Sequence, residues 1–203
     1  MKIICIGRNY SEHAKELGNE TPKEPVFFLK PDTAISPKGH PFFIPDFSNN
    51  VQHEVELVVR INRLGKHIEE KFAHKYYEQI SLGIDFTARD IQQEVKEKGL
   101  PWEKAKGFDG SAVISRKYLD KKDLKLNDLN FSLKKNGEVV QNGNTQQMLF
   151  NIDQIIAYIS QFYTLKIGDL IYTGTPSGVS KVNPGDVLEG FIEDQKMFEV
   201  KVR

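Results

Sequence analysis

Apolar residues along this chain gather in short runs and alternating stretches, and both patterns predict strands. Strands are expected at Lys2–Ile6, Val26–Leu29, Phe42–Ile44, Val51–Ile61, Ile80–Phe86, Leu129–Lys134, Leu170–Tyr172, Val187–Ile192 and Lys196–Val202. Asn136 and Gly137, set between Leu133 and Val139, form the pair favoured in two-residue hairpin turns, where both central residues take positive φ. Helical spacing is rarer. Ser11 is placed to cap a short helix carrying His13 and Glu16, while 71–79 and 89–98 read as modest surface helices. The clearest helix follows Asn151, where Ile152, Ile155, Ile156, Ile159 and Phe162 repeat at three to four positions, a stripe suited to core packing. Strands and helices do not alternate regularly, so a doubly wound parallel sheet is not expected. The pattern predicts a mostly β (α+β) chain with short peripheral helices.

Length and composition narrow the function classes. The 203 residues suit one domain, taken as a single catalytic domain over 1–203, and can bury a core without disulfides. The 28 Lys and Arg balance the 28 Asp and Glu, so the basic excess that marks a nucleic-acid surface is absent. No apolar run approaches the ~18–20 residues that span a bilayer, and the N-terminus lacks a signal-peptide pattern. The one cysteine, Cys5, lies inside Ile3-Ile4-Cys5-Ile6 and reads as a small buried side chain. A lone thiol makes no internal disulfide, which suits a reducing compartment; the expectation is a cytoplasmic protein without nucleic-acid or membrane partners. No dinucleotide, P-loop or nucleophile-elbow motif is present, and His53-Glu54 fails as a zinc-protease motif because position 57 is leucine.

Acidic residues carry the candidate chemistry. In a strand, Glu54 and Glu56 point to the same face with Cβ atoms about 6.5 Å apart, close enough for their tips to share one cation. On that pair alone, the exposed polar face of an amphipathic strand is the better reading. Asp85 shifts the balance, because it interrupts the apolar stretch Leu82-Gly83-Ile84-Asp85-Phe86, and a buried carboxylate needs a partner or a metal. Three carboxylates without cysteine or histidine spacing favour a hard ion: Mg²⁺ first, with Mn²⁺ and Ca²⁺ as alternatives. His13 and Glu16 fall on one helix face, either as an ordinary surface pair or as a carboxylate-steered imidazole fit to act as a base.

Six segments then recur in one order over nearly the whole chain: GRNYSEHAKE (7–16), EVE (54–56), GIDFTARDIQ (83–92), KGLPW (98–102), AKGFDG (105–110) and TGTPSGV (173–179). Together they resemble the fumarylacetoacetate hydrolase family, in its short, acylpyruvase-like branch. The resemblance implies a mixed β-sandwich roll, usually assembled as a homodimer. It implies that Glu54, Glu56 and Asp85 hold the metal. It further implies that His13 and Glu16 form a water-activating dyad on a lid helix and that Lys106 meets the substrate carboxylate or developing enolate. Arg89, Gln92 and Thr175 are implied to touch a small 2-oxo acid substrate. The activity expected is divalent-metal-dependent hydrolysis of a C–C bond in acylpyruvate-type β-diketo acids through a metal-bound enolate. Rival readings on the same parts are an oxaloacetate decarboxylase and an isomerase of the 2-hydroxyhepta-2,4-diene-1,7-dioate type. A rival from another class is a non-catalytic, metal-stabilised binding module, which would have no use for His13, Glu16 and Lys106.

Overall fold

A computed structural model describes residues 1–12, 21–37 and 39–203. The fold is mostly β, with few short helices, as the apolar pattern predicts. Its largest sheet runs in the order β2 (Val26–Lys30), β1 (Ile3–Gly7), β11 (Leu170–Tyr172), β4 (Val55–Ile61), β5 (Tyr77–Asp85) and β7 (Ala112–Ile114), with β8 (Leu119–Asp120) also paired to β5. Among the described strands, only β1 and β11 pair in parallel within it. A four-stranded sheet, β10 (Glu138–Asn144), β9 (Asn130–Lys135), β13 (Val187–Ile192) and β14 (Gln195–Lys201), packs against one face. A small third sheet joins β12 (Ser180–Lys181), β3 (Val51–His53) and β6 (Thr87–Ala88).

Strand alternation sorts the side chains between two cores. Val55, Leu57, Val59 and Ile61 of β4 and Ile80, Leu82 and Ile84 of β5 enter the main core with Phe131, Leu133 and Leu188 of the second sheet. The helix α4 (Ile152–Phe162) adds Ile152, Ile155, Ile156 and Ile159 to that core. Asn151 caps it: its side chain accepts from the Gln154 backbone N–H while the Gln154 side chain returns to the Asn151 N–H. Residues of opposite parity, Ile3, Cys5, Val58 and Tyr172, form a second core on the other face. Burial of both faces explains why the β1 and β4 sequences read as nearly unbroken apolar runs. Glu56 shares the parity of Val58, and Asp85 that of Gly83, so the acids sit on the face turned away from the four-stranded sheet.

The structure departs from sequence expectation in four places. The run 51–61 is two strands, because the chain changes sheets at Glu54: β3 pairs with β12 and β6, β4 with β11 and β5. The helix expected over 71–79 stops early; α1 (Glu70–Ala73) and a 3-10 turn (His74–Tyr76) give way to β5, whose Tyr77 and Gln79 pair with Ile61 and Arg60. Phe42–Ile44 makes a single bridge to Val202 instead of a strand, flanked by Pro41 and Pro45, which have no N–H to donate. The helix expected over 89–98 forms as α2 (Arg89–Glu97), but a short helix absent from the sequence reading, α3 (Glu103–Lys106), follows it and carries Lys106. The hairpin holds: Asn136 (φ 55°) and Gly137 (φ 88°) join β9 to β10.

Candidate metal centre and active site

Register brings the three acids together. Val55 pairs with Ile84, and Glu56 faces Gly83 across β4 and β5. One step further the Asp85 N–H donates to the Glu54 carbonyl at 2.8 Å, so Glu54 and Asp85 are cross-strand neighbours. One carboxylate oxygen from each of Glu54, Glu56 and Asp85 lies within 4.8 Å of the others, and all three residues are buried. Gly83, opposite Glu56, has no room for a side chain: a Cβ there would fall 2.4 Å from the Val113 carbonyl oxygen and 2.7 Å from the Tyr172 ring.

Cations answer the acids unequally. The Lys106 Nζ donates to Glu54 Oε2 (2.9 Å), Asp85 Oδ2 (2.8 Å) and Thr87 Oγ1 (2.6 Å). Burial works against its charge, but Asp85 and Glu54 outweigh burial and hold the ammonium above its usual range. The Arg89 guanidinium pairs with Glu54 Oε1 and also donates to Gln52 and Gln92. Glu56 receives the Gly174 backbone N–H at 2.7 Å in place of a lysine. Burial, then the charges of Asp85 and Glu54, push its carboxyl well above the ordinary range. Compensation is therefore short at the position a divalent ion would fill. All three donors are carboxylates, the set a hard cation prefers, so the residues present fit a divalent metal.

Lys30 was invisible to sequence reasoning. It ends the apolar strand Val26–Lys30, where a lysine normally turns outward to water, yet it is only 2% exposed. Its Nζ pairs with Asp85 Oδ1 at 2.8 Å and donates to Ser111 Oγ at 2.9 Å and to the Lys106 carbonyl. It therefore fixes both a candidate metal ligand and the chain carrying Lys106. Removing one member of a buried pair costs about 3–5 kcal/mol. Lys30→Met is accordingly expected to lower unfolding free energy by that order in metal-free urea titrations. A loss below about 1 kcal/mol would mean that Asp85 does not depend on this lysine.

A second network holds the rim. Gln141 of β10 accepts from the Val55 N–H (3.1 Å) and donates to Thr175 Oγ1 (2.8 Å) and the Pro176 carbonyl (3.0 Å), while its Oε1 lies 2.8 Å from His53 Nδ1. The Thr175 hydroxyl proton goes to the Val55 carbonyl at 2.9 Å, so Thr175 offers the cleft its oxygen and methyl group and no free proton. Burial lowers His53 to about 4 from 6.5, against the opposing pull of its Gln141 contact. The unfolded chain takes up a proton between those values and the folded protein does not. Stability should thus fall as pH drops from 6.5 towards 4, by up to roughly 3 kcal/mol from this group. Urea unfolding at pH 7 and pH 5 should show the loss in wild type and less of it in His53→Gln.

Glu54, Glu56, Asp85, Lys106, Arg89, Gln92 and Thr175, all named from sequence, line one cleft together with Arg8, Phe28 and Trp102. His13 and Glu16 lie outside the described residues. Lys106 sits directly on two of the candidate ligand carboxylates, closer to the metal site than a substrate-facing role alone requires.

A family model described as the C-terminal region of fumarylacetoacetate (FAA) hydrolase matches residues 2–203. The chain belongs to the fumarylacetoacetate hydrolase family. It is 43% identical over 201 residues to the mitochondrial oxaloacetate tautomerase FAHD1 of Mus musculus, covering 99% of this chain and 91% of that protein. It is 46% identical over 190 residues to the mitochondrial oxaloacetate decarboxylase of Dictyostelium discoideum, covering 93% and 87%. Its fold superposes on fumarylpyruvate hydrolase from Pseudomonas aeruginosa, solved with Mn²⁺ and pyruvate, with a TM-score of 0.93, 33% identity and coverage of 100% and 89%. Members of the family are enzymes, and so is this chain. Two of these relatives are named mitochondrial; among the described residues no helix is long and apolar enough to cross a membrane.

Proposed function

We propose that residues 1–203 form one catalytic domain that cleaves the C–C bond of acylpyruvate-type β-diketo acids to pyruvate and a carboxylic acid. Oxaloacetate decarboxylation and tautomerisation are its secondary reactions. The observation that carries this reading is the buried triangle of Glu54, Glu56 and Asp85 at the floor of the cleft, with Lys106 laid across two of its corners. A divalent ion held by those carboxylates, Mg²⁺ in the native enzyme with Mn²⁺ and Ca²⁺ as alternatives, supplies Lewis-acid polarisation of a 2-oxo group.

The chain's own groups do the rest. Lys106, charged and shielded from water, keeps its hydrogen bonds to Glu54 and Asp85 and sets its positive charge near the oxygen on which negative charge develops, where a fixed cation is most effective. Arg89 and Gln92 orient the substrate from the cleft wall, each already steadied by the other. His13, steered by Glu16, takes a proton from water as the oxygen adds to the distal carbonyl. The bond between that carbonyl carbon and C3 then breaks, its electron pair passes into the pyruvate enolate, and C3 gains a proton. Oxaloacetate gives the same enolate when carbon dioxide leaves in place of the acyl group. Its tautomerisation only moves a proton between C3 and the 2-oxo oxygen. The named activities of the mouse and Dictyostelium relatives favour keeping both as second reactions.

A buried free thiol at Cys5 supports placement in a reducing compartment such as the cytoplasm. The family resemblance supports a homodimer, which sedimentation would measure. The decisive assay follows products by NMR from acetylpyruvate, fumarylpyruvate and oxaloacetate, with Mg²⁺ and after chelation. Pyruvate formed from the acylpyruvates, and lost on chelation, is expected. Turnover that is indifferent to the ion would discard the reading.

A further inference from the structure

Arg8 is a cleft-lining cation that the chemistry above does not use. Lys106 and Arg89 are committed to carboxylates of the metal centre. Arg8 is half-buried, lines the same cleft, and makes no hydrogen bond or ion pair among the described residues. Its backbone is held at φ 59°, a left-handed conformation uncommon for a long side chain. Such strain persists only where its surroundings impose it.

The next residue imposes it. Asn9 is fully buried, and its side chain donates to the carbonyls of Thr173 (2.8 Å) and Phe150 (3.0 Å) while accepting the Phe150 N–H (2.8 Å). Gly174, whose N–H holds Glu56, packs so tightly on this turn that a Cβ there would lie 2.6 Å from the Asn9 Cβ. The strained Arg8 backbone is thereby locked to the segment after β11 whose Gly174 N–H holds the candidate metal ligand Glu56. A surface arginine gains nothing from such fixing; one that must meet a ligand at a set place does.

Charge points to what it meets. Arg8, Arg89 and Lys106 face Glu54, Glu56 and Asp85 around the cleft, an even balance that a divalent ion raises to two positive charges. A simple acylpyruvate brings one carboxylate to this field, and a 2-oxo diacid brings two. We infer that Arg8 is the specificity-determining residue that receives the distal carboxylate of a 2-oxo diacid substrate. The inference rests on the 2-oxo acid reading above and narrows it from acylpyruvates in general to those ending in a second carboxylate.

Trp102, the sole tryptophan, lines the cleft and reports occupancy by its fluorescence. With saturating Mg²⁺, wild type would be titrated with 2-oxoglutarate and 2-oxoadipate and with the matching monoacids 2-oxopentanoate and 2-oxohexanoate. At least one diacid should bind roughly 10–100-fold more tightly than its monoacid, the range of a charge-assisted hydrogen bond. In Arg8→Gln that preference should fall to about one, and in Arg8→Lys it should return in part, with thermal melts confirming that both variants fold. A preference that survives in Arg8→Gln, or no preference in wild type, overturns the assignment. None of these probes carries a β-carbonyl, so the titration is independent of turnover. A failed product assay beside an Arg8-dependent preference would discard the reaction and keep the diacid site.

Discussion

Glu56→Gln should abolish measurable ion binding while making the metal-free protein more stable. The carboxyl is 1% exposed and is crowded by two other acids, with a backbone N–H as its compensation. Replacing it with an amide of the same shape removes the cost of burying that charge or of holding a proton there instead, and leaves an oxygen for the Gly174 N–H. The same change removes one of three donors to the cation. Loss of a partner that merely orients a ligand weakens metal sites by ~10–100-fold, so loss of a ligand should exceed that. Calorimetry with Mn²⁺ should give one site in wild type and none within reach in the variant. Thermal melts should show the variant's midpoint above wild type without metal and unmoved by its addition. Because burial and its acidic neighbours help Glu56 keep its proton, ion binding should release a proton and tighten as pH rises. Equal Mn²⁺ affinity in the two proteins would remove Glu56 from the site.

This opposition between stability and binding explains what was legible in the sequence. An acid that interrupts an apolar strand is conspicuous because it breaks the rule the strand otherwise obeys, and Asp85 was found that way, whereas Glu54 and Glu56 were read as a same-face pair of one strand. Glu54 was found for a reason that needed correction. Alternation runs unbroken from Val51 to Ile61, but the chain changes sheets at Glu54, and only the register of β3 and β4 with different partners reveals the break. Lys30 and Gln141 obey the local pattern, one as a strand-ending lysine and the other as a polar position in a hairpin strand. Their importance comes from segments converging in space: the Lys106 and Ser111 chain on Lys30, and Val55, His53 and Thr175 on Gln141. The helix expected over 71–79 failed for a related reason. Tyr77 and Gln79 are claimed by strand partners 16 and 19 positions earlier, Ile61 and Arg60, and that pairing outweighs local helical spacing.

His13→Ala should separate the two reactions assigned to this cleft. Hydrolysis needs a water stripped of a proton and aimed at the distal carbonyl, whereas decarboxylation needs only a chelated 2-oxo acid and a place for the electron pair. In the proposed mechanism a base positioned by Glu16 would serve the first and have no part in the second. Acylpyruvate hydrolysis should therefore lose ~10²–10⁴ in kcat, the usual contribution of a general base, while oxaloacetate decarboxylation stays close to wild type. Glu16→Gln should lose less, since it steers the imidazole without accepting the proton. Lys106→Met should damage both reactions, because each passes through the same enolate and the variant leaves Glu54 and Asp85 short of a buried counter-charge. Stopped assays of pyruvate and carbon dioxide from parallel incubations would measure the partition. Equal losses of both activities in His13→Ala would show that the imidazole acts on the enolate common to them, and the water-activating role would have to be abandoned.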